Sequence, residues 1–273
     1  MPWDHPATLA AFGALVGFVG ALVGVGGGFL LVPYFALVLR WHHLQAAATS
    51  LGIVLVNAAS AALGYARQRR VDWLVGAVFA VATIPGTVAG NLAADRITGG
   101  AFKVAFAAVA AVAAVYLVAM RPGATVGPAW LRRGRRREIV DAFGERHAYE
   151  LNLWVGALAS VPVGFLAALF GVGGGFLHVP MLVLLYGAPL HVATATSTFI
   201  LVVTAAAGEV QYAHRLEEPS VLALLYGGVG AFFGAQIGTL AAPRVQARAL
   251  RWVLALVLVT AGGFMAWRGL AAP

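Results

Sequence analysis

The chain has 273 residues, 61% hydrophobic and 10% charged, with no cysteine, and a mean hydropathy of +0.88. An ordinary soluble domain carries about a quarter charged residues, so this balance leaves no room for a soluble catalytic domain, and the missing cysteine excludes disulfides, thiolate metal sites and a catalytic thiol. The formal charge of +8 sits in loops and one arginine-rich linker, not in an aromatic-interleaved groove, which points to membrane orientation and away from a nucleic-acid partner.

Residues 1–6 carry Asp4 and no Lys or Arg, and the apolar run that follows outlasts a signal h-region, so it reads as a membrane segment. Apolar stretches lie at residues 7–24, 29–39, 46–66, 74–94 and 101–120. Crossing the hydrocarbon core takes about 20 such residues. Next comes Arg121 to Asn152, where Arg132, Arg133, Arg135, Arg136 and Arg137 stand close to Pro122, Gly123, Gly127 and Pro128, predicting a cytoplasmic loop. The same order then recurs at 153–170, 176–186, 192–213, 221–242 and 249–267. Trp41, Trp73, Trp130, Trp154 and Trp267 fall near segment ends, as in an interfacial aromatic belt. The sequence thus predicts an all-α integral membrane protein of the cytoplasmic membrane, multi-pass and duplicated. Residues 1–120 form one repeat, 121–150 a basic cytoplasmic linker and 151–273 the second repeat, with about four membrane segments in each half and about eight in all.

The duplication holds residue by residue. A shift of 147 places lays Gly24-Val25-Gly26-Gly27-Gly28-Phe29-Leu30 on Gly171-Val172-Gly173-Gly174-Gly175-Phe176-Leu177, and Pro33 on Pro180. The same shift places Thr49-Ser50 on Thr196-Ser197, Asn57 on Thr204 and Tyr65 on Tyr212. With one more residue of offset, Gly86 and Gly90 match Gly234 and Gly238, and Lys103 matches Arg251. Many transporters build a site at the interface of two such halves.

A continuous helix over residues 7–39 would be about 50 Å long, well beyond a ~30 Å core. Gly24 to Gly28, and Gly171 to Gly175 after it, are the natural breaks. Irregular backbone in a bilayer is tolerated only where protein or a water-filled cavity satisfies it. Each break leads into a short helix starting at Phe29 or Phe176, whose first amides carry the positive end of the helix dipole, so the pair predicts a site for a small anion. Gly26, Gly27, Gly28 and Phe29, with Gly173, Gly174, Gly175 and Phe176, are the substrate-binding candidates. Tight helix packing is the competing reading of the glycines. The broken segments either cross the membrane or double back as re-entrant hairpins; the placement of the arginines favours hairpins, which make the halves an inverted repeat.

Thr49, Ser50 and Asn57, matched by Thr196, Ser197 and Thr204, are candidate donors lining the cavity, and Gln236, which replaces Val88, is a further one. Membrane hydroxyls also bond their own helix backbone, which is the alternative role. Departures from symmetry would carry coupling: His178 replaces Leu31 and Glu209 replaces Ala62, and an ionisable group at membrane depth is read first as functional, here as a proton carrier. A packing histidine and a carboxylate reaching the interface near the His214 to Glu218 turn are the plain readings of the two. His42 and His43 lack a nearby carboxylate and make a poor metal site. No catalytic triad, carboxylate pair or phosphate loop is present, so no enzyme, metal or cofactor is expected.

These residues resemble the sulfite exporter TauE/SafE family of membrane permeases, whose signature is a duplicated glycine-rich break leading to a proline and then an Ala-Thr-Ser-like step. Here those are Gly24 to Pro33 with Ala48-Thr49-Ser50, and Gly171 to Pro180 with Ala195-Thr196-Ser197. The resemblance covers all but the basic linker. It implies movement of a small sulfur-containing anion, such as sulfite or an organosulfonate, by export or uptake. The expected mechanism is alternating access, with the bilayer, the anion and protons as partners. The rival readings are a passive anion channel and a membrane assembly or sensory protein that binds an anion without moving it.

Overall fold

The structure, a computed structural model, describes residues 5–119, 134–212 and 218–270. Trp130, Arg132 and Arg133 of the linker, and all of the His214 to Glu218 turn except Glu218, lie outside the described residues, as do the side chains of Arg248 and Arg251. Helix α1 (Pro6–Val23) is followed by α2 (Gly28–Pro33), which continues as a π-helical turn (Tyr34–Val38). Then come α3 (His43–Arg67), α4 (Trp73–Ala94) and α5 (Gly99–Ala119). The second half repeats the order: α6 (Leu153–Phe170), α7 (Gly175–Pro180) with its π-helical turn (Met181–Leu185), α8 (Leu190–Tyr212), α9 (Glu218–Ala241) and α10 (Ala247–Leu270). Pro33 and Pro180 each precede the π-helical turn, where a residue without an N–H interrupts the regular ladder.

Among the described residues, six helical stretches are long and apolar enough to cross a membrane: α1, α3, α4, α6, α8 and residues 220–244. The eight or so expected also count α5 and α10, of which residues 99–115 and 258–267 are the stretches described together with their side chains. Those two helices pack on each other.

The halves interlock. Helix α1 lies on α9 of the other half, and α6 correspondingly on α4, while α3 meets α8 across the centre. Glycines allow the close approach: a Cβ on Gly13 would meet the Gly227 backbone, one on Gly234 the Ala14 backbone, and one on Gly86 the Val161 carbonyl. The contacts advance in step along α1 and α9, so these helices run parallel, as do α4 and α6. The repeat extends to single hydrogen bonds: Tyr65 donates its hydroxyl to the Ala21 carbonyl at 2.7 Å, and its counterpart Tyr212 to Ala168 at 3.2 Å.

Helix α2 folds back along α1. The Tyr34 ring stacks on Phe12 with centroids 4.3 Å apart, and a Cβ on Gly27 would strike Val16. In the second half His178 of α7 returns to Ser160 of α6 in the same way.

The linker departs from the expected loop. Strands β1 (Arg135–Val140) and β2 (Arg146–Leu151) form an antiparallel hairpin, with Arg135 opposite Leu151 and Val140 opposite Arg146. Its inward positions alternate with charged ones, a period of two that the arginine content disguises. The hairpin is docked by buried charge. Asp72, at the N-cap of α4, accepts two hydrogen bonds from Arg137 at 2.8 and 2.9 Å and one from the Tyr149 hydroxyl at 2.9 Å. Arg70 pairs with Asp141 at 2.9 Å, and the Ala142 amide donates to the Gln68 carbonyl at 2.9 Å. Burial pushes the Asp141 carboxyl up, but the Glu145 amide, Arg70 and His147 outweigh that and hold it below the usual carboxylate range.

Candidate functional site

The first break follows from its glycines. Gly24, Gly26 and Gly27 have φ of 78°, 80° and 84°, and Gly171 and Gly173 have φ of 66° and 79°. L side chains rarely adopt this left-handed region, so a glycine run is what lets the chain leave one helix and reverse into the next. The ends of α1 and α6 are closed by backbone bonds, Gly24 N–H to the Gly20 carbonyl and Val172 N–H to Ala167.

The two breaks meet each other. A Cβ on Gly28 would sit 2.5 Å from Val172 backbone atoms, and one on Gly175 would strike the Gly24 carbonyl. The rings of Phe29 and Phe176 contact edge to face, 4.4 Å between centroids. Both breaks also lean on the middle of the central helices, where a Cβ on Gly26 or on Gly173 would fall against both Val54 and Leu201. Val54 is halfway along α3 and Leu201 halfway along α8. The amides of Gly28, Phe29, Gly175 and Phe176 have no backbone acceptor outside their own helices among the described residues, and first-turn amides have none within a helix.

Two side chains tie this knot. The Ser197 hydroxyl lies 3.1 Å from both the Gly24 and the Gly175 carbonyl oxygens and donates between them, bridging the breaks. Asn57 donates its amide to the Gly26 carbonyl at 2.8 Å. Its Oδ1 and the Ser50 hydroxyl are buried without a hydrogen-bond partner. Such groups are costly unless something satisfies them.

The other expected donors lie elsewhere. Thr49 donates to the Gln45 carbonyl of its own helix at 3.0 Å. Thr196 accepts from the Asp72 amide at 3.0 Å, beneath the hairpin. Thr204 bonds Thr83 at 2.9 Å and its own Ile200 carbonyl at 3.0 Å. Gln236 reaches the Ser60 carbonyl and hydroxyl, each at 2.8 Å. His178 is fully buried and spends both ring nitrogens, on the Gly174 carbonyl at 2.9 Å and on Ser160 at 3.2 Å. Ser160 escaped the sequence reading, although its repeat-mate is Gly13, so histidine and serine replace leucine and glycine together. Glu209 is half-buried against Gly52 of α3, with one carboxylate oxygen unpartnered. Asp141, Glu145 and His147 bring ligand atoms within 4.8 Å of one another, but Arg70 already occupies Asp141 and its charge opposes a cation there.

Comparison with known proteins matches the model of the family described as Sulfite exporter TauE/SafE to residues 9–265. A probable membrane transporter protein, YunE, of Bacillus subtilis is 29% identical over 96% of this chain and 97% of its own. Similar proteins in Methanocaldococcus jannaschii and Xylella fastidiosa, also described as probable membrane transporter proteins, are 23% and 28% identical, each covering 94% of this chain and 94% and 93% of theirs. No solved structure matches the chain significantly.

Proposed function

The chain belongs to the sulfite exporter TauE/SafE family of membrane transporters, and from that premise we propose that it carries a small sulfur-containing anion across the cytoplasmic membrane by alternating access at the two glycine breaks. One observation carries the reading: two left-handed glycine breaks meet in backbone contact halfway along α3 and α8, and the first-turn amides that follow them have no backbone acceptor outside their own helices among the described residues. An anion is the solute those amides suit, and the unpartnered Ser50 hydroxyl, with Ser197 rotating off its carbonyls, adds donors. Because Gly28 rests on Val172 and Gly175 on Gly24, a solute reaches these amides only when the halves part. That is the behaviour of a carrier, and the same contacts speak against a standing anion pore.

The topology fits this reading. Helices α1, α3 and α9 run one way and α4, α6 and α8 the other, which supports an inverted repeat with re-entrant α1–α2 and α6–α7 hairpins. Coupling to protons falls to Glu209, which has a carboxylate oxygen unpartnered, more readily than to His178, whose nitrogens are both engaged. Counterflow of labelled sulfite, thiosulfate or sulfoacetate into preloaded proteoliposomes tests the function. Saturable counterflow by one of them, lost in Gly28→Leu and Gly175→Leu, is the expected result; binding with no flux would reduce the protein to a sensor.

A further inference from the structure

Away from the breaks, a cavity of about 420 Å³ opens between the α2–α3 turn and the start of α5, lined among others by Arg40, Trp41, His42, His43 and Lys103 and by no aspartate or glutamate. Arg40 and His42 are exposed and Lys103 is half-buried. Among the described residues neither Arg40 nor Lys103 pairs with a carboxylate. The first turns of α3, whose N-cap is His42, and of α5, which begins at Gly99, both border the cavity, so two helix dipoles add their positive ends to the two cations.

The backbone supplies an independent sign. Arg40 sits at φ 59°, in the left-handed region, and the residue 147 places on is Gly187, at φ 69° in the matching turn. The second half uses the residue that this turn ordinarily takes; the first half keeps an arginine there despite the conformational cost. The next pair differs too. Trp41 lines the open cavity, whereas its mate Ala188 is buried in the apolar cluster that holds Tyr149 and Leu151 of the hairpin. The matching turn of the second half thus carries Gly187 and Ala188 in place of the cation and the ring, and the basic cavity lies about 37 Å along α3 from the Arg67 end beside the hairpin.

We propose that this cavity is an oxyanion-binding vestibule that collects the transported anion on the face opposite the hairpin. It rests on the transport reading for its purpose but not for its chemistry, which is recognition of a sulfur oxyanion by Arg40, Lys103 and two helix N-termini. A lipid phosphate offers similar chemistry, and the experiment separates the two.

Sulfite binding to the purified full-length protein is measured by isothermal titration, alongside the concentration dependence of sulfite flux in proteoliposomes. Arg40→Asn removes the charge with a residue that tolerates the left-handed turn, and Lys103→Gln removes the other. The double variant should raise the KM for sulfite about tenfold while Vmax changes less than about twofold. Lys103→Arg should keep the parental KM, and 1 M salt should erase most of the difference between parent and double variant. An unchanged KM in the double variant with parental flux intact overturns the vestibule and leaves the transport reading standing. If the parent shows no flux, titration still decides: sulfite binding lost in the double variant supports the vestibule, and equal binding refutes it. Phosphatidylglycerol that co-purifies with the parent and is depleted in the double variant, at unchanged sulfite KM, assigns the cavity to a lipid headgroup and refutes it as well.

Discussion

Substituting alanine at Gly28 or Gly175 tests the contact between the breaks with the smallest possible probe. Neither residue has a left-handed φ, so the added methyl acts through space alone. At Gly28 it would lie 2.5 Å from the Cα and carbonyl oxygen of Val172, and at Gly175 it would lie on the Gly24 carbonyl oxygen and 3.1 Å from the Val25 Cα. The opposing atoms are backbone and cannot rotate away, so the full overpacking cost of about 1–3 kcal/mol is expected for each. At about 2–4 °C per kcal/mol for a domain of this order, the melting temperature should fall roughly 2–12 °C. Gly100→Ala is the control: its methyl meets nothing within 4 Å, and helix propensity should leave stability unchanged or raise it by up to about 1 kcal/mol. The assay is thermal unfolding in detergent followed by anion counterflow. A Gly28→Ala protein with parental melting temperature and flux would refute the claim that the breaks press on one another.

Replacing Asp141 with alanine leaves the Arg70 guanidinium, 3% exposed, without its partner and should cost about 3–5 kcal/mol, read as faster hydrogen exchange in the hairpin amides. Because the Asp141 carboxyl is held below its unfolded value of 3.8, its contribution is complete above about pH 4 and disappears as pH falls through the lowered folded value; exchange protection that instead weakens toward alkaline pH would contradict the pairing. Asn57→Leu strips the Gly26 carbonyl of its donor and should cost about 1–3 kcal/mol with a loss of flux, seen in melting and counterflow together. Glu209→Gln should abolish the dependence of net uptake on a proton gradient while exchange counterflow persists; unchanged gradient dependence removes Glu209 from coupling.

The glycine breaks were legible in the sequence because a reversing backbone with left-handed φ leaves few alternatives to glycine, and their recurrence 147 residues apart showed that they belong together. Ser197 was legible as the step after the break. Its neighbour Thr196 was not separable from it: adjacent helix positions point about 100° apart, so only one of the two faces the breaks, and Thr196 instead serves the Asp72 turn. Thr204 and Gln236 are likewise spent on Thr83 and Ser60, contacts across 121 and 176 residues that no local pattern announces. The hairpin was hidden because five arginines within six positions read as a solvated loop, while the groups that hold it, Asp72 and Arg70, lie more than 60 residues earlier in the chain. The interlocking of the halves escaped for the same reason, since which face of α1 meets α9 is decided by glycines on both.

The chain has no native cysteine, so a cross-link between the breaks can be placed cleanly. Cysteines at Phe29 and Phe176, whose ring centroids are 4.4 Å apart, should be joined by a short bifunctional methanethiosulfonate that takes the space of the two rings and abolishes anion counterflow, and reduction should restore it. Undiminished counterflow through the fully cross-linked protein would mean that the breaks never part, and would contradict transport at this site.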